Sequence, residues 1–209
     1  MSFARAHRPS KIMLDFNMLL TEAVASCRDR LADHSVAVDL ELSPDLPPSL
    51  ADPAQINQAF LTVLDNAIRA LCDHAGERKL TVASRVERGR ILVEFHDSGP
   101  GIPAEILSKV FEPFFTTRSV GQGAGLGLSV AYGMVTSHAG RISARNRPEG
   151  GASVLFEFPI LNKESVVALP AQETPAALPG GVRRRRILLV DDEEVVIDLL
   201  VDILQSERH

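Results

Sequence analysis

The stretch from Asp97 to Gly127 constrains this chain most. It is rich in glycine and proline, has no helical or strand period, and is bounded on both sides by strongly patterned segments. A loop of that length inside a compact domain is uncommon and is usually a working part, such as a binding loop or a lid. The fold must therefore carry a long functional loop between two ordered elements. Before it, Leu80, Val82 and Val86 mark one strand and Ile91, Val93 and Phe95 a second, turning at Glu87 to Arg90, which predicts a hairpin. After it, a helix is expected from about Leu126 to Ala139. A second hairpin then follows, Arg141 to Asn146 and Ser153 to Pro159, turned at Pro148 to Gly151.

Upstream, Leu20, Val24, Cys27 and Leu31 recur on one helical face and predict a helix from about Asn17 to Ala32. A strand is expected over Val36 to Leu42 and a loop over Ser43 to Pro48. Asp52-Pro53 reads as an N-cap followed by proline at the first helical position. Ile56, Phe60, Val63, Leu64, Ala67 and Leu71 form the apolar stripe of that second helix. Its other face is polar: Gln55, Gln58, Thr62, Asn66 and Arg69 fall together at 100° per residue. Helices and mostly antiparallel strands in this order predict an α+β fold, a two-layer α/β sandwich.

The chain of 209 residues is 45% apolar and carries a formal net charge of -5. That suits one domain of about 150 residues plus a shorter remainder and gives no electrostatic case for nucleic acid. No apolar run approaches the roughly 18 to 20 residues of a membrane span, and no signal-peptide pattern follows Met1. The expectation is a cytoplasmic segment without membrane contact. Cys27 and Cys72 sit in helical apolar patterns and read as core thiols. After Leu161 the composition shifts to Ala and Pro over Val166 to Gly181, a tether. Arg183 to Arg186 is then followed by the apolar run Ile187 to Val190, by Asp191-Asp192-Glu193, and by an apolar helical pattern, as at the start of a parallel α/β unit.

Four clusters stand in order: Asp65-Asn66-Ala67, Asp97-Ser98-Gly99-Pro100-Gly101, Phe111 to Thr117, and Gly121 to Ser129. Together they resemble the N, G1, F and G2 boxes of the histidine kinase catalytic and ATP-binding domain, within the superfamily that includes gyrase, Hsp90 and MutL. The resemblance covers about Asp15 to Pro159, and the F and G2 wording is most similar to nitrogen-sensor-type kinases. Arg186 to Glu193 resembles the opening of a receiver domain. The organisation so implied is the end of a dimerisation helix at 1–12, the ATP-binding domain at 13–161, a linker at 162–182 and a receiver start, with a short incomplete α/β tail, at 183–209. Asp191 and Asp192 would belong to the receiver's acidic pocket.

The chemistry of each cluster agrees. An Asn carbonyl oxygen is a neutral hard ligand suited to Mg²⁺, which keeps waters and takes its other oxygens from substrate phosphates. Asn66 can supply it, and Arg69 can meet a phosphate. Asp97 can accept the adenine amino proton while Gly99 and Gly101 let backbone approach the base. Gly121, Gly123, Gly125, Leu126 and Gly127 lead into a helix start and can place backbone N–H groups around polyphosphate. The resemblance makes the Phe111, Phe114 and Phe115 segment the hinge of a mobile ATP lid, with Thr116 and Arg118 beside the phosphates.

Three departures from the family pattern matter. Thr62 stands where these kinases usually carry a second Asn and their ATP-hydrolysing relatives a Glu. A Thr hydroxyl cannot serve as that base, so transfer to a protein acceptor is favoured over hydrolysis. Ala152 stands where the final strand usually offers a Thr near adenine, and the adjacent Ser153 faces the other way on a strand. None of the six histidines lies in the phosphoacceptor context, so no catalytic base and no acceptor is assigned within the chain. The expected function is an ATP- and Mg²⁺-dependent protein-histidine kinase catalytic domain, with a dimerisation and phosphoacceptor domain and a response regulator as partners. Two other readings stay open: a non-catalytic nucleotide-binding module, and a serine kinase of the anti-sigma-factor type.

Overall fold

The computed structural model describes residues 10–72, 74–116 and 124–161. The tether and the receiver-like tail, with Asp191 and Asp192, lie outside the described residues, as do residues 1–9. In chain order the elements are β1 (Ile12–Leu14), α1 (Phe16–Ser26), α2 (Arg28–Asp33), β2 (Ala37–Leu42), β3 (Ser49–Ala51), α3 (Pro53–Cys72), β4 (Lys79–Glu87), β5 (Arg90–Asp97), α4 (Gly127–Ser137), β6 (Arg141–Asn146) and β7 (Ala152–Pro159). The five-stranded sheet runs β2-β4-β5-β7-β6. Only its β2–β4 pair is parallel, and β1 pairs with β3 in a separate two-stranded ribbon. This is the α+β sandwich that the pattern predicts.

One face of the sheet is covered by helices. The Phe60 ring on α3 stands 5.5 Å from Phe95 and 5.2 Å from Phe156, and Phe16 on α1 stands 4.9 Å from Phe158. All of these rings are buried, and each contributes about 1.5 to 3 kcal/mol through apolar burial. The α3 stripe lies inward as its period requires, with Ile56, Phe60, Val63, Leu64, Ala67 and Leu71 buried. Asp52 caps the helix, accepting from the Ala54 and Gln55 amides at 2.9 and 3.2 Å. Burial pushes its carboxyl up, but those amides and that of Ser10 outweigh burial and hold it below the usual range. The Asp52 N–H in turn donates to Nε2 of buried His138 at 3.0 Å, and His138 Nδ1 lies 2.7 Å from the Met134 carbonyl. Burial pushes the His138 pKa down. A neutral imidazole thus joins the end of α4 to the start of α3.

Several boundaries differ from expectation. The helix expected over Asn17 to Ala32 is two helices, broken at Cys27, whose φ and ψ of -98° and 2° leave the helical region. Neither three-residue strand of the β1–β3 ribbon was expected, and the 12/13 boundary falls inside β1. β2 is an edge strand, so the alternating Leu40 stays 43% exposed instead of facing a core. The hairpin turn at Glu87 to Arg90 is as expected, with Arg88 and Gly89 both at positive φ, as a tight two-residue turn requires. Among the described residues no helix is long and apolar enough to cross a membrane.

Candidate functional site

The polar face of α3 organises the site. Thr62, Asn66 and Ala70 follow one another at intervals of four and form one row along the helix. At one end of the row, the first residue of α4 comes so close that a Cβ on Gly127 would stand 3.2 Å from Thr62 Cγ2. At the other end, a Cβ on Gly99 would stand 3.6 Å from Ala70 Cβ. Asn66 therefore lies about one helical turn from each of the two residues, Thr62 and Ala70, that meet the start of α4 and the loop after β5. Three clusters that are far apart in the sequence converge on one helix face.

Asp97 ends β5 on the covered side of the sheet and is 7% exposed. Its Oδ1 accepts from the Gly99 amide at 3.0 Å and the Ala152 amide at 3.3 Å. Burial pushes the carboxyl above the ordinary Asp range, and the two amides pull it only part of the way back. Glycine backbone packs close on Asp97. Gly151, at φ 77°, approaches so closely that a Cβ there would stand 1.7 Å from the Asp97 carbonyl oxygen. Gly101, at φ 78°, leaves 3.0 Å to Asn146 Oδ1. That amide also grips Ile102, accepting from its N–H at 2.8 Å and donating to its carbonyl at 2.6 Å. The result is a buried acceptor beside a cradle of closely packed backbone.

At the other end of the loop, Gly125 (φ 67°) lies against the backbone of Phe114 and Phe115; a Cβ there would come within 2.6 Å of both. The F and G2 segments thus meet. Phe111 packs against the core and stands 6.1 Å from Tyr132 on α4, while Phe114 is 75% exposed. Leu126 precedes α4 and its side chain does not cap the amides of the first turn. Thr116 is exposed. Arg118, Gly121 and Gly123 lie outside the described residues.

Two side chains have partners within the protein. Arg69 lies on the predicted stripe, but its Nη2 sits on Asp65 at 2.7 Å. Ser153 does not face the Asp97 cradle. It is buried and donates its hydroxyl to Glu94 at 2.5 Å on the opposite side of the sheet, as strand alternation demands. Ala152 does stand beside Asp97, through its amide alone. Thr62 donates its hydroxyl to the Gln58 carbonyl at 2.8 Å, in keeping with its exclusion as a base. Sequence reasoning missed Gly151 and Asn146. The Gly150-Gly151 doublet was the available signal for the first; nothing local marks the second.

A metal and a nucleotide are both implied by the resemblance, and the residues fit both. Among the described residues no group of three or more His, Cys, Asp or Glu could hold an ion, and one Asn oxygen suits a cation whose remaining ligands are phosphates and water. The under-paired Asp97 and the glycine cradle fit an adenine.

Fold and site together define an α+β nucleotide-binding sandwich. The model of the histidine kinase-, DNA gyrase B-, and HSP90-like ATPase family matches residues 51–162, and the chain belongs to that family. It is 34% identical over 172 residues to the sensory histidine kinase/phosphatase NtrB of Rhodobacter capsulatus, covering 78% of this chain and 47% of that protein. The solved catalytic domain of the histidine kinase ThkA superposes with a TM-score of 0.64 at 28% identity, over 73% of this chain and 97% of that one. ThkA in complex with the response regulator TrrA aligns with a TM-score of 0.60 at 28% identity, over 72% of this chain and 42% of that one. The chain spans between 17% and 47% of the length of such curated relatives.

Proposed function

We propose that this chain is the ATP-dependent catalytic part of a protein-histidine kinase in a two-component system. The observation that carries the reading is the convergence of Asn66, the Asp97 cradle and the start of α4 on one helix face. Asp97 orients the base through its amino group, and Asn66 holds Mg²⁺. Arg69, Thr116 and Arg118 meet the phosphates together with the amides around Gly121 to Gly127. Bound Mg²⁺ would neutralise charge on the phosphate oxygens. An imidazole nitrogen of a histidine on a dimerisation domain attacks the γ-phosphorus in line, the bond to the β–γ bridging oxygen breaks, and ADP leaves. Catalysis by such a site is mostly positioning and charge stabilisation. The Thr62 hydroxyl, committed to Gln58, activates no water, which favours transfer over hydrolysis. The response regulator bound by ThkA supports a response regulator as the next phosphate acceptor, and a cytoplasmic setting follows from such a partner. Asp191 and Asp192 would form the acidic pair of a receiver domain.

The test is incubation of the chain with γ-labelled ATP, Mg²⁺ and a separately prepared dimerisation domain. Acid-labile phosphohistidine on that domain is the expected product. Phosphoserine on an antagonist protein would move the reading to a serine kinase. Tight ATP binding without transfer to either would leave a nucleotide-binding module.

A further inference from the structure

The carboxylate beside Asn66 is divided between two arginines from different helices. Asp65 Oδ1 pairs with Arg30 Nη1 of α2, and its Oδ2 with Arg69 Nη2 at 2.7 Å. Arg30 is anchored on its own helix pair, its Nη2 standing 3.1 Å from the sulfur of buried Cys27. Arg30 lies in the first turn of α2, which begins directly after the break at Cys27. Without Arg30, both oxygens of Asp65 would be open to Arg69. A guanidinium and a carboxylate readily form two parallel hydrogen bonds, the strongest arrangement open to them. With Oδ1 occupied, Arg69 is paired through one nitrogen, and among the described residues this is its one ion pair.

We propose that Arg30 is a positioning residue for the phosphate end of the site: by occupying half of Asp65 it keeps Arg69 from a two-point grip and so available to the nucleotide polyphosphate. This rests on the reading of Arg69 as a phosphate contact. Arg30 touches no substrate and acts through Asp65. All three groups are partly exposed, Asp65 at 28% and the arginines at about half, so screening keeps the effect modest.

The experiment compares ATP with adenosine, both measured by competition against a fluorescent nucleotide, in the full chain. Arg30→Gln is expected to weaken ATP two- to fivefold and to leave adenosine unchanged. A general loss of folding would move both ligands. Arg30→Lys, which still occupies Oδ1, should restore the parent value. Asp65→Asn should tighten ATP about twofold, and in that background Arg30→Gln should have no further effect. An Arg30→Gln effect of undiminished size in the Asp65→Asn background would instead be long-range charge and would overturn the proposal, as would weaker ATP binding in Asp65→Asn alone. Arg69→Gln separates the two levels. If it leaves the ATP-to-adenosine ratio unchanged, the phosphate reading itself fails and the proposal with it. If it lowers that ratio while Arg30→Gln does not, only the role of Arg30 fails.

Discussion

The two faces of β5 each carry a buried carboxylate, and the protein treats them oppositely. On the outer face Glu94 is 8% exposed. It is paired with Arg85 at 3.1 Å, Arg145 at 3.0 Å and the Ser153 hydroxyl at 2.5 Å. Burial pushes its carboxyl up, but these three partners outweigh burial and bring it down to about 2. On the inner face Asp97, just as buried, accepts from two backbone amides and makes no ion pair among the described residues, and burial holds its carboxyl high. A fully paired buried carboxylate fastens four strands together. On the proposed reading, one with fewer partners keeps acceptor capacity for something that arrives later, and the glycines around it let backbone pack close against it. Equal burial with different partners gives Glu94 a structural role and, on the proposed reading, leaves Asp97 for a ligand.

The largest break in this contrast comes from filling the inner cradle. Gly151→Val places a side chain at φ 77° against the Asp97 carbonyl. Strain and overpacking together should cost about 3 kcal/mol of unfolding free energy and abolish nucleotide binding. Urea denaturation reads the first and calorimetry the second; a variant with parental stability would remove the cradle from the account.

Next in size is Glu94→Gln, which leaves two arginines facing a neutral amide on the outer face. A loss of about 1 to 3 kcal/mol is expected, with ATP affinity unchanged. The pH dependence has a definite sign. Because the folded carboxyl titrates near 2 and its ordinary value is 4.5, its contribution is fully present above about pH 4.5 and is lost as pH falls toward 2. The variant should lack that part of the acid limb. Asp97 has the opposite sign, since a raised carboxyl makes folding costlier as pH rises through its titration. An unchanged acid limb in Glu94→Gln would contradict the pairing.

The smallest effect should come from Thr62→Val. Its hydroxyl serves the Gln58 carbonyl within α3, and valine keeps the methyl that meets Gly127. Stability should shift by no more than about 0.5 kcal/mol, and slow ATP turnover without an acceptor should be unaltered. Turnover abolished by this substitution would reinstate Thr62 as a catalytic group.

Much of the molecule was legible in sequence where local chemistry and packing agree. Asp52-Pro53 and the apolar period set α3, the two hairpins followed from alternation and turn residues, and the polar stripe of α3 lies off its buried face. The failures are non-local. The apolar period continues through Cys27, so the break there has no sequence mark and shows only in the backbone dihedrals. β1 and β3 are too short for any period and exist because they pair with each other. The need for glycine at position 151 is set by the Asp97 carbonyl, which belongs to another strand. The Asp65–Arg69 pair was available as an i,i+4 spacing, but its sharing with Arg30 depends on tertiary packing.

The most direct test of the central claim is calorimetric titration of Mg²⁺-ATP into the native chain and into Asp97→Ala. The native chain should bind in the micromolar to millimolar range, more weakly as pH is lowered through the raised titration of Asp97, because the neutral carboxyl loses acceptor capacity. Removing the carboxylate leaves the adenine amino group unpaired, at a cost of about 1 to 3 kcal/mol, so the variant should bind roughly 5- to 150-fold more weakly. Equal affinity in the two proteins would contradict the assignment of this cradle as the nucleotide site.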